Sequence, residues 1–205
     1  MSVRRLSTSS ALNGFPKSPN AWDQTTNAAT FDCLGVIEVG STANTSIVFT
    51  GIPQTYQHLQ IRSTARTNRS AGGDDVYIRF NNDTNANYYW HQNYIGLSSA
   101  TPGTATIGYS NSLGTSAGIL TPPVTATNAT ANLFGASIID ILDYTNINKA
   151  TTVRSYGGIH YAGTDTSYIG FYSGYWDDTS NITNITLSAN GSFVQYSSIA
   201  LYGVK

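Results

Sequence analysis

The sequence predicts an all-β protein, an antiparallel β-sandwich of jelly-roll type with an extended N-terminal arm, and three observations carry that expectation. Charged residues make up only 10% of the 205 residues, against about 25% in an average soluble protein. Glu38 is the only glutamate and Lys17, Lys149 and Lys205 are the only lysines, so long helices would lack their usual solvent face. Aromatic residues make up 12%, with 14 tyrosines, and tyrosine suits half-buried strands and contact surfaces because one end is apolar and the other wet. From Phe31 onward, short apolar or alternating runs recur about every 8–12 residues between turn-forming clusters, the pattern of a sandwich or jelly roll.

Residues 1–30 show neither helical nor alternating periodicity, and Ser, Thr, Asn and Pro interrupt them throughout. Leu6, Leu12, Phe15 and Trp22 are spaced along this stretch like separate anchors, and Arg4, Arg5 and Lys17 give it a basic bias. We expect an arm that docks on a neighbouring subunit; folding back on its own domain is the alternative. Residues 31–205 then make one sandwich domain, a size that a single core serves.

Within that domain, Leu34–Val39 and Ile47–Phe49, separated by the turn-like Gly40–Asn44, read as a hairpin. Leu59, Ile61, Ser63 and Ala65 alternate with Gln60, Arg62, Thr64 and Arg66, which predicts one buried and one charged face. Val76, Ile78 and Phe80 repeat the alternation, and the polar turn Asn81–Asn87 opens the aromatic strand Tyr88–Ile95. Residues 96–130, rich in Gly, Ser, Thr and Pro, read as a long surface loop with short edge strands near Ala105–Tyr109 and Gly118–Leu120. Leu133–Leu142 is nearly continuous apolar and fits a central strand. Thr151–Tyr156, Tyr168–Tyr172, Ile182–Ser188 and Ser198–Val204 complete the set.

Charge and motif content narrow the function. A net charge of -1 provides no field to attract nucleic acid or an acidic membrane. No apolar run is long enough to span a bilayer, and Met1–Phe15 carries no signal-peptide apolar region. The expectation is therefore a soluble chain, without nucleic acid or membrane insertion. Cys33 is alone, which rules out an intrachain disulfide. No nucleophile elbow, P-loop, dinucleotide fingerprint or paired-His metal helix is present, so we expect a non-enzymatic protein without cofactor or metal.

Some residues nonetheless invite chemistry. His58, His91 and His160 lie on separate strand-like stretches and could meet only through folding. Asp74, Asp75, Asp140, Asp143, Asp177 and Asp178 could supply the two carboxylates of a polysaccharide-degrading enzyme, although their turn-like positions explain them without catalysis. Asn81–Asn85 reads as an Asx-rich turn more readily than as a calcium loop, because Asp83 is its only carboxylate. Tyr88, Trp90, Tyr175 and Trp176 are candidates either to stack on sugar rings or to pack between subunits. Arg62 and Arg66 share one polar strand face, with Arg79 on the neighbouring strand, and together with Arg154 they predict a basic patch for an acidic partner. The alternative is pairing with aspartates of the same subunit.

The run Tyr56, His58, Leu59, Gln60, Ile61, Arg62, then Ile78, Arg79, Phe80, Asn81, then Asp140, Ile141, Asp143, Tyr144 resembles small β-rich virion proteins of tailed bacteriophages. Lys149, Thr152, Arg154, Ser155, then Ser173, Gly174, Trp176, then Ile182, Thr183, Ile185, and finally Ser198, Ala200, Leu201, Tyr202, Gly203 continue the likeness. The order of these short marks carries the resemblance, and residues 96–130 stand outside it. It implies a virion structural protein made in the host cytoplasm, either a capsid decoration subunit fastened by its arm or part of a tail or fibre. Its implied partners are further copies of itself, as a trimer or other symmetric oligomer, and a major capsid or tail protein. A tail or fibre role would add a host surface glycan.

Overall fold

The computed structural model describes residues 31–98, 105–160 and 166–205. The expected arm, with Arg4, Arg5, Leu6, Leu12, Phe15 and Trp22, lies outside the described residues. Among the described residues there is no helix, and the chain forms β1 (Phe31–Glu38), β2 (Asn44–Thr50), β3 (His58–Ala65), β4 (Gly73–Phe80), β5 (Tyr88–Ser98), β6 (Ala105–Thr115), β7 (Ile119–Thr125), β8 (Gly135–Leu142), β9 (Thr151–Ile159), β10 (Thr166–Trp176), β11 (Asn184–Phe193) and β12 (Ser198–Val204). They make two antiparallel sheets, a large one ordered β1-β12-β3-β8-β9-β10-β5-β6 and a small one ordered β2-β11-β4-β7.

The chain crosses between sheets at every connection except β5 to β6, β8 to β9 and β9 to β10, so β1-β12-β3-β8 and β2-β11-β4-β7 are interleaved. The remaining four strands arrive as two hairpins, β5–β6 and β9–β10, which join through β10–β5 and extend the large sheet alone.

Period-2 alternation builds the core between the sheets. Leu59 and Ile61 of β3, Ile139 and Ile141 of β8, and Ile199 and Leu201 of β12 meet Ile47, Ile78, Phe80, Ile185 and Leu187 from the small sheet in one buried cluster. Each such side chain contributes about 1.5–3 kcal/mol on full burial. Glycine lets β7 approach the large sheet closely: a Cβ on Gly157 would sit 2.9 Å from Pro122 Cβ, and one on Gly174 would sit 2.7 Å from Ile119 Cγ2.

Two expectations about local structure are corrected. Leu34–Val39 and Ile47–Phe49 do not form a hairpin: β1 pairs with β12 and β2 with β11. Neighbouring strands joined by a short turn can equally turn a corner from one sheet to the other, and the turn residues alone do not distinguish these outcomes. Residues 96–130 are also not chiefly loop, since β5 runs on to Ser98, β6 covers Ala105–Thr115 and β7 covers Ile119–Thr125. Pro122 and Pro123 are accommodated because β7 is the edge of the small sheet, where a missing N–H breaks no interior ladder.

Candidate functional site

Antiparallel register carries each residue row straight across the large sheet, because directly paired residues share a face. One outward row runs Ala200, Arg62, Ile138, Tyr156, Phe171, Asn93, Tyr109, and the next runs Ser198, Thr64, Ala136, Gly158, Ile169, Ile95, Ile107. On the β9-β10-β5-β6 extension, these rows place Tyr156, Phe171, Ile169, Ile95, Ile107 and Tyr109 side by side in solvent, with Phe171 68% and Tyr109 87% exposed. Neither row carries a charged residue on these four strands. Further along the same face, Tyr89 and Tyr175 stack with ring centroids 4.7 Å apart, flanking a depression of about 500 Å³ that also includes His91 and Leu113.

The extension ends in β6, an eleven-residue edge strand without a charge or a proline, although its pairing with β5 also shifts register between Tyr88 and Trp90. Other edges show the usual protection against pairing with another chain. β1 carries Asp32, Glu38 and a register shift at Cys33/Gly35, β7 carries two prolines and a register shift, and β2 has only seven residues.

The opposite face of the extension looks toward the edge of the small sheet. There Gly157, Gly170, Tyr94 and Gly108 form one row, and Ser155, Tyr172, Gln92 and Ser110 the next. A Cβ on Gly108 would fall 2.2 Å from the Tyr94 ring and one on Gly170 2.9 Å from the Tyr172 ring, so both rings lie across glycines. Tyr168 meets Tyr94 edge to face at 5.7 Å. Across from them, β4 and β7 shift register between Asp74 and Val76, which leaves Asp75 opposite Pro122 and Pro123. The resulting cleft has a volume of about 300 Å³ and is lined by Asp75, Gln92, Tyr94, Tyr168, Tyr172 and Pro123, among others.

The two neighbouring aspartates differ. Asp74 is buried and accepts hydrogen bonds from Thr67 Oγ1 (2.9 Å), Gly191 N (2.8 Å), Asn190 N (3.3 Å) and Nδ2 (3.1 Å), and Arg69 Nη1 (3.3 Å). Its oxygens tie the β11 bulge to β4. Among the described residues Asp75 makes no such bonds; it stands exposed at the cleft rim, where partial desolvation by the neighbouring walls raises its carboxyl from the usual range, Arg69 opposes the shift and Asp74 reinforces it. Burial likewise pushes the Tyr172 hydroxyl up, with Asp75 adding to the effect.

Several residues singled out from the sequence turn out to be structural. Tyr88 is fully buried, its hydroxyl accepts from Phe80 N (3.1 Å), and burial pushes its pKa up to about 12. Trp176 is 2% exposed, and its indole N–H is taken by Asp83. Neither ring can stack on a sugar or a partner; they stand where the hairpins join the core. Trp90 is half-buried against that core, with its indole nitrogen lacking a hydrogen-bond partner among the described residues. Of the four aromatic candidates, Tyr175 alone lies on the open outer face.

The basic patch does not form. Arg62 lies on the outer face of β3, where its guanidinium covers the Phe31 and Tyr202 rings at 4.9 and 5.4 Å and Nε donates to Gln60. Arg66 falls beyond the end of β3 and turns inward to donate to the carbonyls of Thr130, Leu133, Thr127 and Ala129. Arg79 belongs to β4 in the other sheet, because β3 and β4 are joined across the sandwich. Arg154 pairs with Asp140 at 3.1 Å, the intrasubunit alternative.

The three histidines do not converge. His58 on β3 accepts at Nδ1 from the backbone N–H of Asp143 just after β8, His91 lies four strands away from β3 on β5, and His160 follows β9. The described residues contain no cluster of three metal-ligating side chains. Asp83 is occupied in its own turn: burial works against its charge, but Trp176, Asn85 and Asn87 together hold its carboxyl below the usual range. The outer apolar rows and the Asp75 cleft were not visible in the sequence, since both depend on the pairing of β10 with β5. Uncharged strands 5, 6 and 10 were the only advance sign.

Comparison of the chain with protein-family models, with curated proteins and with solved structures found no match.

Proposed function

We propose that this protein is a non-enzymatic structural subunit of a tailed-phage virion, of the capsid decoration kind, whose neighbouring copies pack through the outer face of β9-β10-β5-β6 and its β6 edge. The observation that carries the reading is that face: its two outward rows are contiguous, apolar and uncharged, Arg154 in the next row is paired with Asp140, and the face runs on to a long edge strand without a charge or a proline. Monomeric soluble proteins rarely leave such a patch open, and an uncharged face lets identical copies meet without repulsion. The resemblance to small virion proteins supports the setting, and the interleaved strand order supports the architecture. Taken without the hairpins β5–β6 and β9–β10, the eight remaining strands read as a jelly roll, a frame found in capsid and lectin domains. In this reading the segment before Phe31 fastens the subunit to a capsid protein.

Sedimentation of the full chain tests the self-contact. The wild type is expected to form a discrete oligomer, and Tyr109→Lys with Phe171→Ser to yield monomers with an unchanged melting temperature, because exposed substitutions usually shift stability by no more than about 0.5 kcal/mol. A wild type that stays monomeric up to millimolar concentration overturns the packing surface. Absence of the protein from purified particles, probed with a labelled copy, overturns the virion setting.

A further inference from the structure

We propose that the cleft between the Asp75 bulge and the tyrosine-covered face of β10 and β5 binds a neutral saccharide, with Asp75 and Gln92 hydrogen-bonding its hydroxyls and the packed Tyr94 and Tyr168 rings forming an aromatic wall against one apolar ring face. This inference is independent of the packing surface, which lies on the other side of the same strands.

The cleft is built, not a gap left by packing. Glycines at 108 and 170 allow the Tyr94 and Tyr172 rings to lie across the sheet, so the floor is shallow and aromatic where larger residues would fill it. The bulge made by Pro122 and Pro123 sets Asp75 at the rim, and bulges commonly re-aim a side chain beside a site. Asp74, next in sequence, is spent on five donors that brace the bulge from behind. Asp75 therefore keeps acceptor oxygens that the fold does not use.

The chemistry of the lining selects the ligand class. A volume of about 300 Å³ stands at the small end of the range for small-molecule sites. Within it, two carboxylates, of which Asp74 is already engaged by its five donors, and one carboxamide are set among phenol rings, and no Lys, Arg or His lines the cleft. A phosphate or carboxylate ligand would meet Asp75 without a cation to offset it. A purely apolar ligand would leave Asp75 and Gln92 desolvated and unpaired. A sugar ring has what both require: vicinal hydroxyls that donate to the carboxylate, accept from and donate to the amide, and C–H faces that lie against phenols. The cleft holds one carboxylate with unused oxygens, so we assign it binding and no bond cleavage, which in the usual glycosidase needs a pair.

Saturation-transfer NMR on the full chain tests this with glucose, galactose, rhamnose, N-acetylglucosamine, maltose and cellobiose, and with choline chloride as a cationic control. At least one saccharide is expected to receive transfer, with shifts in the Tyr94, Tyr168 and Tyr172 ring signals. Asp75→Asn and Gln92→Ala should each weaken that saccharide about tenfold, the scale of losing one strong hydrogen bond, with the melting transition retained. Gly108→Ala, which displaces the Tyr94 ring, should also weaken it. No transfer to any saccharide at millimolar concentration overturns the proposal. Binding of choline alone, or saccharide binding indifferent to all three substitutions, overturns it as well.

Discussion

Trp176, the last residue of β10, donates its indole N–H to the carboxylate of Asp83 at 2.8 Å. The bond ties the turn between β4 and β5 to the far end of the second hairpin. Around it the Trp176 ring stacks on Tyr88 at 6.4 Å and 15° and tilts against Phe80 at 5.7 Å. Both hairpins are thus anchored at their base in the common core, while their outer surfaces remain free for contact.

Removing that carboxylate should be costly. Asp83→Ala leaves the buried Trp176 N–H unpaired and should destabilise the fold by about 1–3 kcal/mol in denaturant titration, whereas Asp83→Asn, which retains an acceptor, should lose less. Because the folded carboxyl lies below its ordinary range, its contribution is present above about pH 4 and is lost as pH falls through the folded value. The melting temperature of the wild type should therefore drop on acidification. Asp83→Asn should show a shallower drop, though not a flat profile, because Asp143 is also held low, chiefly by Lys149.

Arg66 should behave as a structural residue and Arg62 as a surface one. Arg66→Ala strips donors from four loop carbonyls and should cost about 2–3 kcal/mol, with faster amide exchange across residues 126–134. Arg66→Lys should recover only part, since one ammonium cannot reproduce the planar fork. Arg62→Gln should change the melting temperature little, because it gives up only exposed contacts with Gln60 and two rings. Equal effects at the two positions would show this distinction to be wrong.

Asp75 carries the opposite pH signature to Asp83. Its folded carboxyl is raised, chiefly by partial desolvation at the cleft rim, so its ionised form carries a small penalty at neutral pH, reduced by solvent screening, that fades as pH falls through the folded value. Asp75→Asn should raise the melting temperature slightly at pH 7 and leave it nearly unchanged at about pH 3, where the wild-type carboxyl is largely protonated in both states. A variant that is more stable yet binds saccharide less tightly would separate the two roles of this residue. An unchanged or lower melting temperature at pH 7 would contradict the assigned environment.

Alternation made much of the sandwich readable in advance. β3, β4 and β12 fall where Leu59–Ala65, Val76–Phe80 and Ser198–Val204 predict them, because one buried face per strand leaves a period of two in the residues. Which strand pairs with which is set by distant partners, so the sequence showed neither the crossing from β1 to β2 nor the placement of Arg79 away from Arg62. The same holds for the aromatic residues. Tyr88 and Tyr109 look alike as letters, but one is fully buried and the other 87% exposed, and only the register of β5 and β6 against their neighbours decides between them. The cleft was hidden for a related reason, since Gly108 and Gly170 fall inside expected strands, and only the pairing of those strands shows that they form the floor beneath two rings.

β12, the last of the described strands in chain order, does not lie at an edge but between β1 and β3, where it buries Ile199 and Leu201. Until it emerges from the ribosome, β1 has no pairing partner in the sheet and β3 presents an open ladder beside exposed Leu59 and Ile61. Closure must therefore join residues near 31 to residues near 204, a long-range step that slows folding. A chain that lacks β12 therefore leaves β1 unpaired and cannot complete the sandwich.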